Sequence, residues 1–351
     1  MNDTLMERPI DESLLPGLEQ APVKKKRGRP AKSMPAVSEA LPLTGEAPAV
    51  KTVDPRNALN DLTSTEWIPE TVSVWTQRGL GANHADAQIE RQHPAPFSFT
   101  DVARLVRFFT KKGHTVLDPF VGVGSTLKAC AVEGRQGIGF ELNPKYAELA
   151  RERLRTEVRD LWAEHAQDVR EGDARDLVQA LPDDSLDFIV TSPPYWNILH
   201  KEDHKARQER IEKELDTRYS DDHRDLGNVA DYSDFLQELA SILGACARPL
   251  KAGKHMAVVV SDFREKSKYI MFHADLAAAL LPYGLEMRGL KVLYQRHKRI
   301  FPYGYPYAYV PNIHHQFIMI LQNAKPKKRD DNEQQARKEV AKRKRSPKIG
   351  K

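Results

Sequence analysis

GHTVLDPFVGVGSTLKACAVEGRQGIGFEL, residues 113–142, is the stretch whose reading decides the fold. His114–Phe120 is an apolar, β-branched run of strand character. Gly122 and Gly124 follow in a tight turn, where the absence of a Cβ lets the backbone bend sharply and approach a ligand. Ser125–Val132 then has helical spacing, and Gln136–Leu142 reads as a second strand. Outward from this unit the alternation continues. Asp168–Asp173, Leu186–Thr191, His255–Ser261, Leu285–Tyr294 and His315–Leu321 read as strands, with helices expected over Pro144–Val158, Tyr232–Ala247 and His273–Leu281. Strands that alternate with helices predict an α/β fold with a mostly parallel, Rossmann-like sheet of seven strands covered on both faces. The last two strands have no helix between them, so an antiparallel hairpin is expected at one edge.

The ends differ in character from this core. Residues 1–58 are rich in Pro, Ala, Glu and Lys and lack sustained apolar periodicity, the composition of a disordered segment. Within them lies KKKRGRPAK, Lys24–Lys32. Its Arg27-Gly28-Arg29-Pro30 centre resembles an AT-hook, in which an extended Arg-Gly-Arg-Pro lies in the narrow minor groove of A·T-rich DNA. A generic basic patch is the plainer alternative. Between Lys325 and Lys351 twelve Lys/Arg face four Asp/Glu, an excess larger than the whole chain's net +5, so the rest of the chain is slightly acidic. A basic tail over 325–351 suits salt-sensitive contact with a polyanion. The domain expected between the tails spans 59–324.

No apolar run resembles a signal peptide or membrane span, so a cytoplasmic protein with no membrane contact is expected. Cys130 and Cys246 lack any disulfide or zinc spacing, and no metal is expected.

Three acidic residues fall at strand ends: Asp118, Glu141 nineteen positions after Gly122, and Asp173 in EGDARDL. A carboxylate at the second of these can accept hydrogen bonds from ribose hydroxyls, and the set describes an adenosine pocket. A dehydrogenase-type dinucleotide site shares these features. DFIVTSPPYWN, Asp187–Asn197, is more specific. Its two prolines cannot continue a central strand, so a rigid turn must present Tyr195 and Trp196 at the carboxyl edge of the sheet.

In that order, DPFVGVGST, GFELNPKY, EGDARDL and TSPPYW resemble the motifs of the amino-methylating DNA methyltransferases, the N4-cytosine/N6-adenine group, over roughly residues 62–323. The motif order is similar to the γ arrangement. HPAPFSFTDVARLVRFF, His93–Phe109, is similar to the family segment that closes over the methionine end of the cofactor. The resemblance implies a class I methyltransferase fold and S-adenosyl-L-methionine as cofactor. The residues implied at the cofactor are Phe97, Asp118, Pro119, Phe120, Gly122, Gly124, Ser125, Thr126, Glu141, Leu142, Asp173 and Ala174. It also implies double-stranded DNA as partner and, from Ser192 at the first motif position, cytosine N4 ahead of adenine N6.

An exocyclic amine has its lone pair delocalised into the ring, so its hydrogens must be held by acceptors before it attacks a methyl group. Ser192 Oγ and the Pro193 carbonyl are the candidate acceptors, with Pro194 holding the turn, Tyr195 stacking on a flipped base and Trp196 closing the wall. Neither cysteine has the setting that C5 methylation of cytosine requires. Two stretches are candidate DNA contacts: 200–230, densely charged, and 294–314, where Tyr303 and Tyr305 interleave with Arg296, Lys298 and Arg299. The alternatives are an RNA or protein methyltransferase of the same fold and an inactive, methyltransferase-like DNA-binding protein. The recognition site, a partner restriction nuclease and the oligomeric state are not legible in the sequence.

Overall fold

The computed structural model describes residues 52–324 except 78–83, 85, 87, 95–96, 197–210, 212–219, 221 and 266–267. The AT-hook-like segment with Arg27 and Arg29, and the tail 325–351, lie outside the described residues, as does most of the charged stretch 200–226.

Eight strands form the main sheet: β1 (Val74–Thr76), β2 (Thr115–Asp118), β3 (Gln136–Glu141), β4 (Gln167–Glu171), β5 (Leu186–Thr191), β6 (Leu250–Val260), β9 (Leu285–Tyr294) and β10 (His315–Asn323). A separate two-stranded ribbon is made by β7 (Phe263–Glu265) and β8 (Lys268–Ile270). The order across the main sheet is β1-β9-β10-β6-β5-β2-β3-β4. Every neighbouring pair is parallel except those made by β10, which runs antiparallel to both β6 and β9. This is a Rossmann-like α/β sheet with its switch point between β2 and β5, whose carboxyl ends open the crevice where such sheets bind ligands.

Two expectations are corrected. The sheet has eight strands, not seven, and the hairpin does not end it, because β1 pairs with β9 from Val74↔Val292 to Thr76↔Tyr294. Three residues behind a helix that contains Pro69 are too short to show a period, and only the burial of Trp75 marks the strand. The hairpin therefore lies inside the sheet.

Period-two alternation explains the layers. In β5, Phe188 and Val190 point to one face and Ile189 to the other; in β6, Ala257 and Val259 oppose Met256, Val258 and Val260. The first face is covered by α2 (Phe99–Phe109), whose Val102, Leu105, Val106 and Phe109 recur at helical spacing. The second is covered by α7 (Tyr232–Ala245) and α8 (Phe272–Leu280), through Phe235, Leu239 and Leu243 and through Phe272, Leu276 and Leu280. Helices α3 (Ser125–Glu133) and α4 (Pro144–Glu157) flank β3. Asn143 caps α4 by accepting from the Lys145 N–H, with Pro144 at the first turn, and Asp231 caps α7 by accepting from Ser233 and Asp234. Shorter helices are α1 (Ser64–Glu70), α5 (Leu161–His165) and α6 (Ala174–Leu177). The amino-terminal approach is tied down at Asn60, fully buried, whose Nδ2 donates to the Phe108 carbonyl at 2.6 Å. No described helix is long and apolar enough to cross a membrane.

Candidate functional site

The carboxyl ends of β2, β3, β4 and β5 border one open cleft. Its lining takes Pro119, Phe120 and Gly122 from the glycine loop, Glu141 and Leu142 from the end of β3, Asp173 and Ala174 after β4, and Ser192 to Tyr195 after β5. Four segments separated in sequence by tens of residues are thus brought to one place.

Asp118 has a different part from the one expected. It is buried and does not line the cleft; its carboxylate accepts from the Phe120 N–H at 3.0 Å, from Thr126 Oγ1 at 2.5 Å and from Thr191 Oγ1 at 2.6 Å. It ties the end of β2 to the start of α3 and to the end of β5. Burial pushes its pKa up to about 6, against the hydroxyl bonds that favour the charge. Phe97, Gly124, Ser125 and Thr126 also stand outside the lining. Phe97 packs against the core under α2, and the Ser125 hydroxyl accepts from Arg153 at 2.8 Å.

The glycines are required where they stand. Gly122 has φ +52°, and a Cβ there would come 3.2 Å from His93 Nε2; Gly124 has φ +81°, with the Ala150 Cβ 3.1 Å from the same added atom. Glu141 spans the loop: Oε2 accepts from the Gly122 N–H at 2.9 Å and Oε1 from the Asn143 N–H at 2.8 Å. Burial raises its pKa to about 7 in spite of these two amides. Asp173 accepts from the Arg175 N–H at 2.8 Å and pairs with the Arg175 guanidinium at 2.9 Å, and Arg175 reaches on to Glu238.

Sequence reasoning missed His93 as a lining residue in its own right. Its ring meets Tyr146 edge-on with centroids 4.8 Å apart, over Gly122. The segment before it is fastened from below, since the fully buried Arg153 pairs with Glu90 at 2.8 Å and with Glu157 at 3.0 Å. Arg175 and Arg224 were missed as well; both line the cleft, Arg224 with its guanidinium paired to Asp222 at 2.8 Å. With Ser220, Asp225 and Leu226, Arg224 belongs to the charged stretch 200–230 that the sequence offers as a candidate DNA contact.

At the turn after β5, Ser192 Oγ lies 3.3 Å from the Tyr195 hydroxyl, which accepts from Gln316 Nε2 at 2.8 Å. Burial raises the Tyr195 pKa. Trp196 is not a wall of the cleft. It is buried at φ +36°, donates Nε1–H to the Val229 carbonyl at 2.9 Å, and sits 5.4 Å from the Tyr232 ring and 5.9 Å from that of Phe263. The aromatic that anchors the turn is therefore Trp196, and the one offered to the cleft is Tyr195.

The β9–β10 connection starts beside this turn. Arg296, Lys298 and Arg299 are exposed, and so is Tyr303; Tyr305, Tyr307 and Tyr309 are 82, 95 and 91% exposed. Cys130 and Cys246 are buried free thiols, and burial pushes the latter's pKa up to about 12. Among the described residues no group of three or more His, Cys, Asp or Glu could hold a metal ion.

Residues 20–152 match the family model described as DNA methylase, of the N6/N4 methyltransferase group. Among curated proteins, Type II methyltransferase M.BglI of Bacillus subtilis is 35% identical over 97 residues, 28% of this chain and 26% of that protein. M.Cfr9I of Citrobacter freundii is 42% identical over 65 residues, 18% and 22% of the two chains. M.MthZI of Methanothermobacter thermautotrophicus is 32% identical over 89 residues, 25% and 24%. The chain spans about a quarter of the length of these relatives. A TehB-like methyltransferase structure from Corynebacterium glutamicum is 15% identical and covers 63% of this chain and 86% of its own, with a TM-score of 0.37, which adds nothing to the topology described above. The family model and the relatives bear out the resemblance to the amino-methylating methyltransferases, the model's match taking in DPFVGVGST and GFELNPKY.

Proposed function

We propose, from the premise that this chain is of the amino-methylating DNA methyltransferase family, that it transfers a methyl group from S-adenosyl-L-methionine to the exocyclic amino group of a base flipped out of double-stranded DNA, with cytosine N4 as the acceptor. The observation that carries the reading is the meeting of Ser192–Tyr195 with Gly122, Glu141 and Asp173 in one cleft.

The residues fit the cofactor. Glu141 keeps acceptor capacity beyond the two amides it already engages, which suits a ribose diol. Gly122, with no side chain of its own, brings backbone to the cleft beside the His93 ring, and Phe120 and Leu142 supply apolar surface for a purine. The His93 side of the cleft remains for the amino-acid end. When bound, the cofactor supplies an electrophilic methyl on a sulfonium, which leaves as a neutral thioether.

This chain's residues do the rest. Ser192 Oγ and the Pro193 carbonyl accept from the target amine and draw its nitrogen towards tetrahedral geometry, aligning the lone pair. The amine proton passes to water as the N–C bond forms. Flipping costs a few kcal/mol, and stacking on Tyr195, worth about 1–3 kcal/mol, offsets most of it. The exposed tyrosines and cations of 294–314 supply phosphate and base contacts. Domain limits of 59–324, with basic tails drawn to DNA, complete the reading.

The test is mass spectrometry of nucleosides from mixed-sequence DNA incubated with the protein and cofactor. N4-methylcytosine is expected. N6-methyladenine would overturn the base assignment, and methylated RNA beside unmodified DNA would overturn the substrate.

A further inference from the structure

A chain of side-chain amides stands behind the catalytic turn. Gln295 Nε2 lies 3.1 Å from Gln77 Oε1 and 3.4 Å from Gln316 Oε1. Gln316 Nε2 donates to the Tyr195 hydroxyl at 2.8 Å, and Ser192 Oγ is 3.3 Å beyond. Each link constrains the next. A neighbour that donates to Gln316 Oε1 fixes which end of that amide faces Tyr195, so the phenol oxygen receives a donor. Its own proton is then free for the nearest acceptor, Ser192 Oγ.

We infer that Gln316 is a positioning residue. By donating to the Tyr195 hydroxyl it fixes the plane of the ring and directs the phenolic proton onto Ser192 Oγ, which leaves the remaining serine lone pair for the target amine. The inference rests on the functional reading above for its kinetic consequences, and on hydrogen-bond geometry alone for its structural ones. It also makes the neck of the β9–β10 connection, Gln295 and Gln316, part of the catalytic turn's support.

In a transfer assay with DNA and S-adenosyl-L-methionine, Gln316→Leu is expected to lower kcat roughly tenfold, by loosening the Tyr195 ring and the Ser192 hydroxyl it orients, with cofactor KM unchanged. Tyr195→Phe should give a similar loss, and the double variant should be no worse than the more impaired single variant. Gln316→Glu should retain activity at acidic pH, where a protonated carboxyl can still donate to the phenol. It should lose activity as that carboxyl ionises and takes the phenolic proton from Ser192. Additive losses, or a Gln316→Glu profile parallel to the parent's, would overturn the inference.

A second arm needs no activity. With tyrosines labelled with carbon-13 at Cζ and the Tyr195 resonance assigned by its absence in Tyr195→Phe, that resonance should shift in Gln316→Leu. An inactive parent protein would defeat the functional reading, and the resonance then decides alone: if it stays in place, Gln316 does not position Tyr195.

Discussion

Thr191 donates its hydroxyl to Asp118 Oδ1 across 2.6 Å, from the last residue of β5 to the last of β2. One carboxylate thereby sets the spacing between the glycine loop and the Ser192 turn, since Thr126 at the start of α3 binds its other oxygen at 2.5 Å. Thr191→Val is expected to destabilise the protein by about 1–3 kcal/mol, the cost of a buried acceptor losing a donor. Adding Thr126→Val should cost less than the sum of the two, because the twice-deprived carboxyl protonates instead. Denaturant unfolding of the three variants provides the check, and strict additivity would mean that the two hydroxyls act independently.

Glu141 gives a pH dependence with a definite sign. Its pKa in the free protein is raised to about 7 from 4.5, so the carboxyl is substantially protonated below neutrality. Ribose hydroxyls favour the ionised acceptor. Cofactor affinity should therefore rise between pH 6 and pH 8 with release of a proton, measurable by calorimetry in buffers of different ionisation enthalpy. For folding the sign is opposite: a carboxyl raised in the folded state contributes stability below its unfolded value, lost as pH climbs through about 7. Asp118, raised to about 6, adds to the same trend. A cofactor affinity that does not change with pH would remove Glu141 from the ribose.

Gly122→Ala should lower stability in denaturant unfolding, since a Cβ at φ +52° adds strain of about 1–2 kcal/mol and presses on His93 Nε2 at 3.2 Å. His93→Ala in the same chain should recover only the part due to contact. Full recovery would show that the backbone carries no strain there.

The two aromatics of the turn should separate cleanly. Tyr195→Ala is expected to abolish transfer and leave cofactor affinity nearly unchanged, whereas Trp196→Ala should cost about 3–5 kcal/mol of stability through the cavity it leaves among Tyr232 and Phe263. Thermal unfolding beside cofactor titration distinguishes them, and equal loss of stability in both would undo the division.

Replacing Arg296, Lys298 and Arg299 together with Ala should lower DNA affinity for every sequence and reduce the slope of log K against log salt by about 3. An unchanged slope would place the phosphate contacts elsewhere.

The sheet and part of the cleft's lining were legible because their signals are local. Strand ends, the 122–124 turn and the Pro193-Pro194 break are each written within a few residues, and Leu186–Thr191 and Leu285–Tyr294 were read to the residue. Helix α2 carries the repeat Val102, Leu105, Val106 and Phe109 inside a segment whose resemblance points to the cofactor, so its helical period is masked by the motif. Asp118 and Trp196 were misplaced for a common reason. Which of two neighbouring polar or aromatic groups faces the cleft depends on the φ of a single turn residue and on partners such as Thr191 and Val229, 73 and 33 positions away. Gln316 acts across 121 positions, and nothing in HHQF distinguishes it from an ordinary strand glutamine.

The reversed direction of β10 has one more consequence. In a parallel sheet the chain reaches the ligand-bearing rim only as a strand finishes, so that rim is furnished by loops. A strand laid the other way begins there. His315 and Gln316 thus arrive at the rim as the first residues of a regular ladder, with Gln316 registered against Leu293. The support of the reactive turn is built on framework, while the exposed aromatics of the connection that precedes it lie outside the ladder.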